Sequence, residues 1–207
     1  MTRRDAVVAL ASLAALSAVP FDVPALGALP AQMDPDFLRM FDEAQHDRPP
    51  VLSASARLAP VNELGIPMRV RGTIFDRDGT RPKAGAVVFG YQTDRTGVYG
   101  PRGAKTWRLK AWAKADAHGR FQFDTIRPAP YPNRQVGAHI HFYVDGGGVP
   151  RQTLPALMFE GDPLITDAER AESAALGERF RFIVPVRAVA GRDECEILFR
   201  VTGEQIF

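Results

Sequence analysis

Arg120-Phe121-Gln122-Phe123-Asp124-Thr125-Ile126 alternates polar and apolar side chains, and that alternation decides the fold. Successive side chains of an extended chain leave opposite faces. Phe121 and Phe123 therefore share one face and Arg120, Gln122 and Asp124 the other, as in a strand with one side in a core and one in water. Working outward, a turn at Asp116 to Gly119 joins this strand to Trp107-Arg108-Leu109-Lys110-Ala111-Trp112. Val70 to Phe75 and Ala86 to Phe89 flank the turn signal Asp78-Gly79. His139 to Val144, Phe180 to Val186 and Glu196 to Thr202 bring the count to seven strand candidates. That pattern predicts an all-β chain with an antiparallel β-sandwich core. Two helices interrupt it. Phe37, Leu38, Met40 and Phe41 recur at helical spacing between Asp34 and Gln45, with Pro35 suited to the first turn. Thr166-Asp167-Ala168-Glu169 has capping-box spacing ahead of helix formers up to Leu176, with Gly177 placed to end the helix, giving a helix near 167–176.

The N-terminal stretch reads differently. Arg3-Arg4 precede the acid-free apolar run Ala6 to Val19, which is shorter than the roughly 20 residues needed to span a bilayer. Ala25-Leu26-Gly27 offers a small-x-small cleavage site. The pattern is that of an export signal of twin-arginine type, whose pathway carries folded proteins. It predicts a periplasmic or extracellular protein with no stable membrane span in the mature chain. The expected organisation is a signal over 1–27, a helix and proline-rich arm over 28–67, and the sandwich over 68–207. Asp47 to Pro67 lacks sustained periodicity and reads as a linker or an arm lying on the domain surface.

With 207 residues, 45% of them hydrophobic and 24% charged, one compact domain is the expectation. A net charge of +2, with acids and bases interspersed, gives no reason to expect a nucleic-acid partner. The single cysteine, Cys195, offers neither an internal disulfide nor a cysteine metal cluster, and reads as a small buried side chain.

Chemistry concentrates at Ala138-His139-Ile140-His141-Phe142. Strand residues two apart share a face, so His139 and His141 can aim both imidazoles at one atom. If the phenols of Tyr99 and Tyr131 converge there, two neutral nitrogens join two oxygens that bind as phenolates. Hard anionic oxygens suit a hard, highly charged ion and point to iron(III). His46 and His118 fall in the linker and in a turn and read as exposed. Tyr91, Tyr143, Trp107 and Trp112 read as packing residues, and Asp145-Gly146-Gly147-Gly148 as a flexible turn at the edge of the site.

An ordered set of motifs carries a resemblance: Gly72-Thr73-Ile74, Asp78-Gly79, Ala84-Gly85-Ala86, Tyr91-Gln92-Thr93-Asp94 leading to Gly97-Val98-Tyr99, Thr125-Ile126-Arg127-Pro128, Tyr131-Pro132, Ala138 to Phe142, and Phe159-Glu160-Gly161-Asp162-Pro163. From about Met68 to Pro163 the chain resembles the intradiol ring-cleavage dioxygenases. The resemblance implies a non-haem iron(III) held by Tyr99, Tyr131, His139 and His141. It makes Tyr131 the ligand that leaves when a catechol binds and that then takes a substrate proton. It also implies a catechol-type aromatic and O2 as substrates, a muconate-type diacid as product, and dimers or larger assemblies. Two positions depart from the family pattern: Val136 stands where an arginine is usual, and Ala156 where a glutamine is usual. Arg134, Arg151 and Gln152 are the side chains available to reach the same space. Two alternatives stay open, a transthyretin-like binding module without catalysis and an iron site that binds diols without cleaving them. A colourless, metal-free protein that still binds an aromatic or a protein partner favours the first, and a substrate-perturbed colour without oxygen uptake favours the second.

Overall fold

The computed structural model describes residues 35–202 apart from residue 103. The expected signal over 1–27 lies outside the described residues. Among those residues the chain forms two α-helices, α1 (Pro35–His46) and α2 (Asp167–Ala175). It also forms ten strands: β1 (Ser55–Arg57), β2 (Pro67–Phe75), β3 (Val87–Gln92), β4 (Leu109–Lys114), β5 (Arg120–Ile126), β6 (His139–Gly146), β7 (Val149–Phe159), β8 (Ile183–Val184), β9 (Arg187–Val189) and β10 (Arg192–Arg200). They build two five-stranded sheets, ordered β1-β5-β2-β10-β9 and β4-β3-β6-β7-β8.

The core lies between the sheets. Alternation puts Phe121 and Phe123 of β5 inside it, against Phe142 of β6 and Phe199 of β10. At the centre of β2, Gly72 leaves room for the Phe121 ring, which a Cβ there would meet at 2.2 Å. The sandwich is not purely antiparallel as expected, because β1 with β5, β2 with β10 and β7 with β8 pair in parallel. The long excursions between those partners leave room for the crossovers that parallel pairing demands.

A second apolar layer covers the outer face of the β4-β3-β6-β7-β8 sheet. Helix α1 lays Phe37, Phe41 and Ala44 on Phe89, Trp107 and Tyr143. Leu38, read as part of its apolar face, points toward solvent instead. Helix α2 carries the capping box: Thr166 accepts from the Glu169 N–H, and the Glu169 carboxylate accepts from the Thr166 N–H at 2.7 Å.

Two expectations need correction. The longest strand, β7, follows a tight glycine hairpin at Gly146–Gly148, so that turn lies at the end of β6 remote from His139 and not at the edge of the site. The proline-rich arm is also more than a surface linker. It adds β1 as an edge strand and buries Leu58 and Ala59 in the sandwich core. Its Ser53 carbonyl accepts from Lys114 and its Ala54 carbonyl from Gln122, so backbone bonding ties it to both sheets. Leu58→Ala is therefore expected to lower stability by about 2–5 kcal/mol, in the range of core leucine truncations. Val61→Ala, three residues on and 83% exposed, is expected within about 0.5 kcal/mol of the parent. Equal losses in chemical denaturation would refute this division of the arm.

Candidate functional site

Four loops and strands meet at the start of β6. On that strand His139, His141 and Tyr143 face outward, while Ile140, Phe142 and Val144 enter the core. Opposite His141, β7 carries an irregularity: Ile140 pairs with Leu157 and Phe142 with Leu154, leaving Pro155 and Ala156 facing one residue. A bulge suits proline, which has no N–H to give to the ladder, and it re-aims the residues beside it.

The loop from β3 to β4 carries Tyr99, and the segment from β5 to β6 carries Tyr131. Asp94 shapes the first. Its carboxylate accepts from the N–H groups of Thr96 (2.8 Å) and Val98 (3.3 Å) and from the Arg108 guanidinium (3.2 Å), while Arg108 N–H donates to the Tyr99 carbonyl (2.9 Å). The second is laced to the first: Thr93 Oγ1 donates to the Ala129 carbonyl (2.7 Å), and Ala129 N–H donates to the Asp94 carbonyl (3.1 Å). Gly97 has φ +82° and lies so close to Pro130 that a Cβ would sit 2.1 Å from its carbonyl oxygen. Glycine is needed there twice over, for its backbone angle and for the approach. Asp162 performs the matching task for β6, accepting from the N–H groups of Ala138 (2.8 Å) and Leu164 (2.9 Å).

These constraints bring Tyr99, Tyr131, His139 and His141 together. The Tyr99 and Tyr131 hydroxyls are hydrogen-bonded to each other. Tyr131 Oη lies 3.1 Å from His139 Nε2, and His139 Nε2 lies 2.9 Å from His141 Nε2. His139 Nδ1 donates to the Gly137 carbonyl at 2.7 Å, which fixes the neutral tautomer and leaves the Nε2 lone pair facing the cluster. His141 is held otherwise, stacked on Tyr91 with ring centroids 4.7 Å apart and planes at 15°. Tyr91 thus touches the site that it was expected only to pack behind, and it stacks in turn on Trp107 at 3.9 Å.

Every one of the four groups is neutral, and burial keeps it so. Desolvation pushes both imidazoles below their ordinary range, His141 furthest, with the neighbouring His139 adding to the effect. Desolvation also pushes the Tyr99 phenol well above its ordinary value, and Tyr131 less far. The Arg134 guanidinium, 5.7 Å from the centre of the Tyr131 ring, works against that rise at both phenols.

Of the three side chains expected to compensate for Val136 and Ala156, only Arg134 reaches this region. Arg151 lies over Phe41. Gln152 is fully buried at the far end of β7, bonded to Thr202 and Pro150. The sequence reading missed the positioning roles of Asp94 and Asp162, although an Asp two residues ahead of Thr96 is an Asx-turn signal. His118 and His46 are exposed, and neither contacts the cluster. Among the described residues no group of three or more His, Cys, Asp and Glu side chains gathers to hold a metal, so a metal at this cluster would need the phenols as donors.

Comparison with known proteins agrees with this architecture. A sequence model of the dioxygenase family matches residues 34–188. The chain belongs to the intradiol ring-cleavage dioxygenase family. Hydroxyquinol 1,2-dioxygenase of Rhodococcus opacus is 30% identical over 128 residues, which is 53% of this chain but only 40% of that relative. Among solved structures, the dioxygenase domain of a carbohydrate-binding fusion protein from Streptomyces sp. SirexAA-E is 24% identical with a TM-score of 0.56, covering 75% of this chain and 92% of the other. Catechol 1,2-dioxygenase from Pseudomonas arvilla C-1 is 22% identical with a TM-score of 0.58, covering 82% and 68%. At these identities the structures share the fold.

Two tests follow from the geometry. Gly97→Ala imposes backbone strain of about 1–2 kcal/mol, apart from the clash with Pro130. It is expected to lower the melting temperature and to weaken metal retention against a chelator; unchanged retention would show that the two loops are not held by this approach. In metal-free protein, burial-lowered histidines make the unfolded chain the stronger proton binder once pH falls through about 6.5. Stability should therefore be full above pH 7 and fall toward pH 5. The double variant His139→Asn, His141→Asn should flatten that slope, and an unaltered slope would assign it to other groups.

Proposed function

We propose that this chain cleaves a catechol-type aromatic ring between its two hydroxyl-bearing carbons with O2, giving a muconate-type diacid. The observation that carries the reading is the convergence of two imidazole nitrogens and two phenol oxygens, with neighbouring pairs no more than 3.1 Å apart. The donor set fits non-haem iron(III). His139 and His141 would offer neutral nitrogens, and Tyr99 and Tyr131 would offer oxygens that become phenolates on a hard ion. Bound there, iron(III) supplies chelation of the diol and its activation toward O2.

The chain's own residues do the rest. His139 is oriented by the Gly137 carbonyl and His141 by Tyr91, so neither imidazole has to be ordered when the site fills. Tyr131 is the more readily ionised of the two phenols, because burial raises it less and the Arg134 guanidinium over its ring favours the phenolate. As the phenolate that a bound iron(III) would stabilise, Tyr131 would take a hydroxyl proton from the incoming diol onto Oη and become a neutral phenol, while the more deeply desolvated Tyr99 would stay as a fixed donor. The aromatic wall of Tyr91 and Trp107 excludes water from one side. Val136 is half-buried and Ala156 buried, and neither brings charge or hydrogen-bonding capacity to the positions where the family pattern has an arginine and a glutamine.

We also propose that residues 1–27 direct export through the twin-arginine route, which lets the protein fold around its metal before crossing. The support is the Arg3-Arg4 pair ahead of an acid-free apolar run. Among the described residues no helix is long and apolar enough to cross a membrane. A mature N-terminus near Ala28 by mass spectrometry is the expected result, and intact Met1 in exported protein would overturn it.

Iron-loaded protein should be coloured, because tyrosinate on iron(III) absorbs visible light by charge transfer. The band should shift on anaerobic mixing with a diol, and oxygen uptake should then match diacid formation mole for mole. Tyr131→Phe should alter the band and reduce kcat by about 10²–10⁴, the span of general acid–base catalysis. Colourless iron-loaded protein would sink the reading. A shifted band without oxygen uptake would leave a diol-binding iron site.

A further inference from the structure

We propose that Arg134 selects the ring on which this site acts, favouring a diol that carries a carboxylate. The inference rests on the diol-cleaving reading above and narrows its substrate class.

Arg134 lies three residues after Tyr131 and five before His139. A tight turn closed by Arg134 N–H on the Tyr131 carbonyl, at 3.5 Å, folds the side chain back so that its guanidinium lies over the Tyr131 ring. The residue is half-buried. Among the described residues no carboxylate or carbonyl accepts from its guanidinium, and its recorded side-chain contact is the aromatic face.

Three other arginines of the surrounding segments are engaged, whereas Arg95, Arg102 and Lys105 of the Tyr99 loop are exposed. Arg108 is forked on Glu63 at 2.6 and 3.0 Å and also reaches Asp94. Arg127 pairs with Asp193 at 3.1 Å and covers Phe159. Arg170 donates to the Ile165 carbonyl. Arg134 is thus a partly desolvated positive charge beside a neutral donor cluster. A guanidinium in that position is matched by a planar anion that accepts two parallel N–H bonds. A diol held through its two oxygens presents its far edge away from the cluster, and the more exposed phenol, Tyr131, lies beneath Arg134. A carboxylate on that edge completes the fork, whereas an unsubstituted ring leaves the guanidinium facing water. Val136, half-buried and apolar, supplies no competing charge from the neighbouring turn.

The test is anaerobic titration of the iron-loaded full chain, followed by its visible band, with catechol, 3,4-dihydroxybenzoate and the methyl ester of the latter. Charge-assisted pairing is expected to make the carboxylated ring bind about 10- to 100-fold more tightly than catechol. The ester, of nearly the same shape but neutral, should fall back to the affinity of catechol. In Arg134→Gln the ratio of the two dissociation constants should collapse toward one, and Arg134→Lys, a point charge without the fork, should keep part of it. A ratio near one in the parent protein, an ester that binds like the acid, or a ratio untouched by Arg134→Gln each overturns the inference. A band that responds to catechol while showing no such ratio removes only this proposal. Iron-loaded protein without a visible band removes the diol-cleaving reading and this inference with it.

Discussion

The contact on which the site depends is the approach of Gly97 to the Pro130 carbonyl. It presses the Tyr99 loop onto the Tyr131 segment, and two hydrogen bonds through Ala129 lock the pair. Neither tyrosine belongs to a strand, so neither inherits its position from the sheets. The sandwich supplies only a rim, the start of β6, and the loops must be brought to it. Aspartates do that work on both sides: Asp94 curls the tyrosine loop around its own carboxylate, and Asp162 anchors the backbone one residue ahead of His139. Each uses backbone N–H groups that would otherwise be unpaired, so site geometry and local stability rest on the same bonds.

How much of this was legible follows from which signals are local. The alternation at Arg120–Ile126, the capping box at Thr166 and the i, i+2 histidines are properties of short stretches, and each appears where the residues put it. Strand β7 was missed because Pro150 and Pro155 interrupt its sequence and its burial lacks clean alternation. Pro155 lies in the bulge opposite His141, where pairing is relaxed and proline costs nothing in the ladder, and Pro150 lies beside the hairpin at the other end of the strand. The arm was misread for a related reason. Leu58 and Ala59 have no periodic partners in sequence and are apolar only toward a core assembled from distant strands. The two tyrosines were found through motif resemblance, because nothing in their spacing fixes how loops from opposite sides of β3 and β5 meet.

Electrostatically the cluster is a set of opposed neutral groups. Four buried or half-buried polar groups satisfy one another through a chain of hydrogen bonds, and their ionised forms are all disfavoured. Such an arrangement has little use as a proton store, since protonating the imidazoles or ionising the phenols is resisted by burial. A multivalent cation reverses that resistance in one event, because it stabilises phenolate and takes the imidazole lone pairs together. A preference for a hard, highly charged ion would follow from the phenols more than from the histidines. With histidines alone the same strand geometry would suit zinc or copper equally well.

The two histidines are held by different kinds of force, and the difference reaches back to helix α1. His139 is fixed by one directional bond to its own neighbour Gly137, so its orientation is a local property of the strand start. Among the described residues His141 has no such backbone partner, and it depends on the face of Tyr91. That ring is held by Trp107 on its other side and lies near Tyr143 and Phe89, which Phe37 and Phe41 of α1 cover. Stacked aromatic pairs contribute only about 0.5–1.5 kcal/mol each beyond burial, so no single ring fixes His141. The whole outer layer does so cooperatively. The helix that precedes the sandwich is therefore a remote wall of the site: loosening it would free the second imidazole before disturbing the first.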